Sequence, residues 1–158
     1  MRLTDLLTPE RVAIRHNQDH QRPLDKPAAV KLLAQMLASG TPVDESEVER
    51  VLSEREQLQS TGIGEGVAIP HGALPQLETQ YASLLIVPEG LDFAAIDGLA
   101  VNILFAVIGP KRATGEHLKT LARVSRLLRN KSFRDRLIDA AEPKGAYALI
   151  SVEEGERR

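Results

Sequence analysis

The chain is expected to fold as an α/β protein, with a small mixed β-sheet sandwiched by helices in a single domain. Three observations predict this class. The runs "ASLLIV" and "VNILFAVIG" are continuous apolar runs, rich in Ile, Val and Phe, and short, as strands buried on both faces are. Helical patterns lie before and after them, so helices and strands alternate. A chain of 158 residues with 42% hydrophobic content is enough for one core.

The elements follow in chain order. "MRLTDLLTPERVAIRHN" reads as a short helical turn followed by a strand around Val12 to Arg15, and "QDHQRPLD" is polar and turn-like. In "DKPAAVKLLAQMLASG", Asp25 is placed to cap a helix with Pro27 in its first turn. Ala29, Leu32, Leu33, Met36 and Leu37 form its apolar stripe, and Gly40 marks the stop. "TPVDESEVERVLSEREQL" continues as a second helix with Val48, Val51 and Leu52 on one face. In "STGIGEGVAIPHG", glycines at 62, 64 and 66 precede "VAIP", a short buried strand that Pro70 is expected to end, handing His71 beyond its edge. Turns at "PEGLDF" and "IDGLA" separate the two apolar strands and an "LDF" edge. In "TGEHLKTLARVSRLLRN", Thr114 is expected to cap a helix whose apolar face is Leu118, Leu121, Val124 and Leu128, and Ser132 to cap the next. The domain is taken as residues 1–150, with 151–158, "SVEEGERR", as a frayed tail.

Composition narrows the function. The absence of cysteine excludes disulfides, thiolate metal sites and a cysteine nucleophile, and with no apolar targeting segment after Met1 it favours the cytoplasm. No apolar run is long enough to enter and cross a membrane. A net charge of −2, 3% aromatics and no Trp supply neither the basic stripe nor the stacking platform of a nucleic-acid binder.

The glycine-rich stretch invites nucleotide readings, and both fail. A phosphate-binding P-loop needs Lys then Ser or Thr after its last glycine, where Val67 and Ala68 stand. A dinucleotide fingerprint needs a third glycine where Val67 stands, and a loop that follows a strand rather than preceding one. A metal site built on His16 and His20 with His71 or His117 needs a rigid helix where "HNQDHQRP" is polar and turn-like, so His16 and His20 read as solvated surface residues and no metal is expected.

The chemistry that fits is a histidine that itself carries a group, since imidazole is a nucleophile near neutral pH. Pro70 and the glycines hold His71 rigidly. His117 falls in the first turn of a helix, where the dipole favours a phosphate and disfavours a charged imidazole. Arg55 is placed to grip phosphoryl oxygens in a bidentate manner, and Ser60 and Thr61 to donate hydroxyl hydrogen bonds.

The string "SEREQLQSTGIGEGVAIPHG", then "FAAIDGLAVNILFAVIGP", then "EHLKTLARVSRLLRN" resembles the type-2 enzyme IIA domains of the bacterial phosphotransferase system, the fructose, mannitol and nitrogen-related group. The resemblance implies that His71 accepts a phosphoryl group, at its Nε2, from a phosphorylated histidine-carrier protein and passes it on. It implies that His117 and Arg55 stabilise the phosphate, with Glu65 at the acidic loop position of mannitol-type members and Thr61 at a hydroxyl position. No cofactor is implied, because the donor is another phosphohistidine and neither ATP nor magnesium is needed. "FAAIDGLAVNILFAVIGP" resembles the nitrogen-related proteins more, which implies a downstream regulatory target, while Glu65 resembles the sugar branch, in which a IIB domain receives the phosphoryl group. A binding module that is never phosphorylated is the alternative from outside the transferase class.

Overall fold

The computed structural model describes residues 2–17 and 23–156. His20 lies outside these residues. Helix α1 (Leu3–Leu7) and a 3-10 turn (Pro9–Arg11) lead into strand β1 (Val12–Ile14). Helices α2 (Lys26–Ala38) and α3 (Glu45–Leu58) follow, then the short strands β2 (Gly62–Gly64), β3 (Val67–Ala68) and β4 (His71–Leu74). The long strands β5 (Tyr81–Leu91) and β6 (Val101–Pro110) precede α4 (Thr114–Leu127), α5 (Lys131–Ile138) and α6 (Pro143–Glu156).

The six strands form one mixed sheet in the order β1-β5-β6-β3-β2, with β4 also paired to β6. The pair β5–β6 is antiparallel and central, while β1 runs parallel to β5, and both β3 and β4 run parallel to β6. Along β6 the side chains alternate between two cores. Leu104, Ala106 and Ile108 pack with α2 and α3, whereas Ile103, Phe105 and Val107 pack with α1, α4, α5 and α6. Burial on both faces explains why this strand is continuously apolar. The expected class, a mixed sheet between helices, is the observed one.

Several local expectations are corrected. Pro70 does not end the strand pairing: β3 pairs with β6 up to Ala68↔Leu104 and β4 resumes at His71↔Val107, with the Pro70 carbonyl accepting from Val107 N–H at 2.9 Å. Proline loses only its donor, and its carbonyl keeps the chain in register. The PEGL part of the expected turn belongs to β5, which crosses it with a shift of register between Ile86 and Leu91. Thr114 and Ser132 are not caps. Ala113 precedes α4 without a side-chain bond, and Asn130 caps α5 by accepting from Phe133 N–H. Leu118 is 60% exposed, and the buried stripe of α4 is Thr120, Val124 and Leu127.

Over residues 151–156 the expected frayed tail is instead the end of α6, which runs across the boundary placed at residue 150, and residues 157 and 158 lie outside the described residues. The reason is electrostatic. The carboxylate of Glu154 accepts from the N–H groups of Leu3 at 2.7 Å and Thr4 at 3.1 Å, which are the free donors at the N-terminus of α1. Each terminus thus holds the other.

Glycine is required where β4 passes under α3. A Cβ on Gly72 would meet the Cγ1 of Val51 at 2.2 Å, so the strand that carries His71 lies closer to the helix than any side chain permits. Gly72→Ala is expected to lower the unfolding free energy by about 1–3 kcal/mol in urea denaturation, and Val51→Ala in the same chain to recover most of the loss. An unchanged midpoint in the single variant would contradict this packing.

Candidate active site

The site lies where β4 begins, beside the last residues of β6 and the first turn of α4. His71 opens β4 opposite Val107, and His117 stands in the first turns of α4, which follows β6 after a short turn. The two imidazole centroids are 5.6 Å apart, with the rings tilted by 54°. Arg55, in the last turn of α3, lines the same surface depression, along with Val51, Leu58 and Gly72.

The His71 ring has a defined orientation. Its Nδ1 lies 2.8 Å from the carbonyl oxygen of Ile69. A carbonyl only accepts, so Nδ1 carries the proton and the lone pair of the neutral ring is on Nε2. Burial pushes the His71 pKa below its ordinary 6.5 and the Arg55 charge acts the same way, against the opposing effects of the Ile69 bond and Glu56. His117 is also lowered, first by burial and then by the neighbouring His71. Its backbone N–H is not a free helix-end donor, since it bonds the Ala113 carbonyl at 3.1 Å. At neutral pH both imidazoles are therefore neutral, and they share the depression with the Arg55 guanidinium and with the carboxylate of Glu54, which is paired with Arg50 at 3.1 Å.

The structure brings together His71, His117 and Arg55 but places the other three expected site residues elsewhere. The Ser60 hydroxyl donates to the Phe93 carbonyl at 3.0 Å and accepts from Gly62 N–H at 3.0 Å. Thr61 is buried, and both its hydroxyl and its N–H are bonded to the carboxylate of Glu56. Glu65 is in the β2–β3 turn, where its φ of 58° and that of Gly66, 82°, make a tight two-residue hairpin. Its carboxylate is 70% exposed and 3.4 Å from the Arg134 guanidinium. These residues shape the loop before β3, and none lines the depression. His16 pairs with Glu89 at 3.1 Å, remote in the fold from His71.

Sequence reasoning missed Glu56, which is buried although charged. Lys26 meets its carboxylate at 3.0 Å and stands 4.5 Å from the ring centroid of Phe93. The cluster ties the start of α2, the end of α3 and the loop at Thr61 to one another, and so fixes the turn of α3 that bears Arg55. The signal was present: Val48, Leu52 and Glu56 recur at intervals of four, which puts Glu56 on the buried stripe. Arg55 itself donates to the Gln59 carbonyl at 2.8 Å, which anchors the guanidinium at the C-terminus of the helix.

A depression with an oriented neutral imidazole, a second imidazole and a guanidinium suits a phosphoryl group. Comparison with known proteins agrees. Residues 9–152 match the family "Phosphoenolpyruvate-dependent sugar phosphotransferase system, EIIA 2". The chain is 35% identical over 154 residues to a nitrogen regulatory protein of Bradyrhizobium diazoefficiens, covering 96% of each. It is 29% identical over 135 residues to a mannitol-specific phosphotransferase enzyme IIA component of Geobacillus stearothermophilus, covering 84% of this chain and 89% of that one. Among solved structures it resembles the nitrogen regulatory protein IIA-Ntr of Neisseria meningitidis, with a TM-score of 0.81, 27% identity, and coverage of 94% and 98%. The chain belongs to the EIIA 2 family of the phosphoenolpyruvate-dependent sugar phosphotransferase system.

Proposed function

We propose that this chain is a phosphohistidine relay protein of the nitrogen-regulatory kind. His71 accepts a phosphoryl group from a phosphorylated histidine-carrier protein, and its phosphorylated and unphosphorylated forms present different surfaces to a downstream regulatory target. The observation that carries the reading is the His71 ring itself, with Nδ1 bonded to the Ile69 carbonyl and the ring beside His117 and Arg55 in an open depression. The similarity to the Bradyrhizobium nitrogen regulatory protein supports the regulatory branch.

The chemistry is a transfer between two nitrogens. The Nε2 lone pair of neutral His71 attacks phosphorus, the N–P bond of the carrier's phosphohistidine breaks, and the carrier's imidazole recovers the electron pair. The transition state asks for alignment and for positive charge about the phosphoryl oxygens, which Arg55 supplies and to which His117 adds once the phosphoryl charge has drawn a proton onto its ring. Leu58, 83% exposed on the rim, and Leu118, next in sequence to His117, offer the apolar contacts that a transient protein partner needs around the transferred group. A cytoplasmic setting suits a chain without cysteine, and among the described residues no helix is long and apolar enough to cross a membrane.

Incubation with enzyme I, phosphoenolpyruvate and a histidine carrier is expected to add one acid-labile phosphoryl group by intact-mass spectrometry, absent in His71→Ala. An adduct that persists in that variant would overturn the assignment of His71. No adduct with any carrier would leave the binding-module alternative, and onward transfer to a sugar-specific IIB domain would place the chain in the sugar branch.

Arg55→Lys keeps the charge but loses the planar fork, and is expected to slow phosphoryl uptake about tenfold, the worth of one charge-assisted hydrogen bond. A rate equal to that of the unmodified chain would remove Arg55 from the site.

Both imidazoles are expected to titrate below 6.5 in histidine NMR. The unfolded chain then binds more protons than the folded one as pH falls below the ordinary value, so stability declines from about pH 7 down to the folded pKa values and levels off beneath them. In His71→Asn with His117→Asn that slope is expected to flatten. A midpoint above 6.5 for either ring would contradict the burial of the pair.

A further inference from the structure

Two buried polar atoms beside the site have no hydrogen-bond partner among the described residues, Oε1 of Gln80 and Nδ1 of His117. Gln80 is 5% exposed and immediately precedes β5, where the next residue, Tyr81, pairs with Ile108 of β6. One step along that register, Gln80 faces Gly109. A Cβ built on Gly109 would lie 3.1 Å from Cγ of Gln80 and 3.4 Å from Nδ1 of His117. The glycine therefore leaves one small space that both side chains border, at the end of β6 just ahead of α4.

An unpaired buried donor or acceptor is costly, and native proteins leave few of them. Gln80 borders the gap through Cγ and Cβ and His117 through Nδ1, and the two unpaired groups, an amide oxygen that only accepts and a ring nitrogen that can donate, are complementary. We infer that Gln80 is a positioning residue for His117, its Oε1 accepting a hydrogen bond from the ring's Nδ1–H. The consequence for phosphoryl transfer rests on the relay function proposed above, whereas the pairing itself does not.

The bond selects one tautomer. With the proton held on Nδ1, the lone pair of the neutral ring sits on Nε2, the nitrogen that is not sealed from the depression. When His71 carries a phosphoryl group, its negative charge draws a proton from solvent onto that Nε2. His117 then donates from both nitrogens, to a phosphoryl oxygen on one side and to Gln80 on the other. Without the amide oxygen, the second N–H of the imidazolium is buried and unpaired, and the charged ring that the phosphoryl group requires is disfavoured.

The test is long-range 1H–15N NMR of the full chain labelled with 15N-histidine, at neutral pH, on the unmodified protein, Gln80→Leu and Gln80→Glu, with the amide spectrum confirming that each folds. In the unmodified resting protein Nδ1 of His117 is expected to be protonated. Gln80→Leu is expected to move the ring toward the Nε2–H tautomer and to slow phosphorylation by the carrier about tenfold, the worth of one hydrogen bond to a charged group. Gln80→Glu, which keeps an acceptor oxygen, is expected to hold the proton on Nδ1 and to recover most of the rate. A bare Nδ1 in the unmodified protein, or unchanged nitrogen shifts and rate in Gln80→Leu, overturns the inference. Should Gln80→Leu not fold, an unprotonated Nδ1 in Gln80→Glu overturns it. Failure of the unmodified chain to accept a phosphoryl group from any carrier would sink the relay function, and the resting tautomer would still decide the role of Gln80.

Discussion

The hydrogen bond between Nδ1 of His71 and the carbonyl of Ile69 is the constraint on which the rest of the site depends. It works over two residues of chain, and only because the backbone there is held from both sides. Ile69 N–H donates to the Thr61 carbonyl at 3.0 Å, and the Pro70 carbonyl accepts from Val107 N–H at 2.9 Å. The interval between β3 and β4 is thus pinned to the hairpin on one side and to β6 on the other. Within that frame the ring turns back on its own chain, commits its proton to Nδ1, and leaves the lone pair on Nε2.

The surroundings are arranged to keep that atom available. A protonated His71 has no lone pair at Nε2, and burial together with the Arg55 charge works against protonation. The Arg55 guanidinium disfavours a further cation beside the two neutral rings, and the Glu54 carboxylate that shares the depression is held by Arg50. The buried Glu56, held by Lys26, anchors the turn of α3 from which Arg55 projects, while Gly72 lets β4 lie directly under that helix. Packing of the two cores against opposite faces of β6 then fixes the distance from α3 to α4. The site is precise because its members stand on the ends of packed elements.

Much of this was legible in the sequence, and what was not has physical causes. The long apolar strands, α2 with its Asp25 cap, and the trio of His71, His117 and Arg55 were visible because periodicity, cap chemistry and the phosphotransfer signature each act locally. Ser60, Thr61 and Glu65 were misplaced because a hydroxyl or carboxylate beside a glycine loop has many possible partners. Here Thr61 is taken by Glu56 and Glu65 by Arg134, through contacts that span 5 and 69 residues. Helix α6 and the ordered tail escaped because their support is an end-to-end contact, the Glu154 carboxylate on the N-terminus of α1. Gln80 gave no signal at all, since only the register of β5 on β6 brings it to His117.

The most direct measurement is 15N and 31P NMR of the phosphorylated protein, labelled at histidine, to locate the N–P bond on the His71 ring. The tautomer imposed by Ile69 requires the phosphorus to couple to Nε2, with Nδ1 still protonated. A phosphoryl group found on Nδ1 of His71 would mean that the Ile69 bond breaks before transfer, and would contradict the account of how this fold presents its nucleophile.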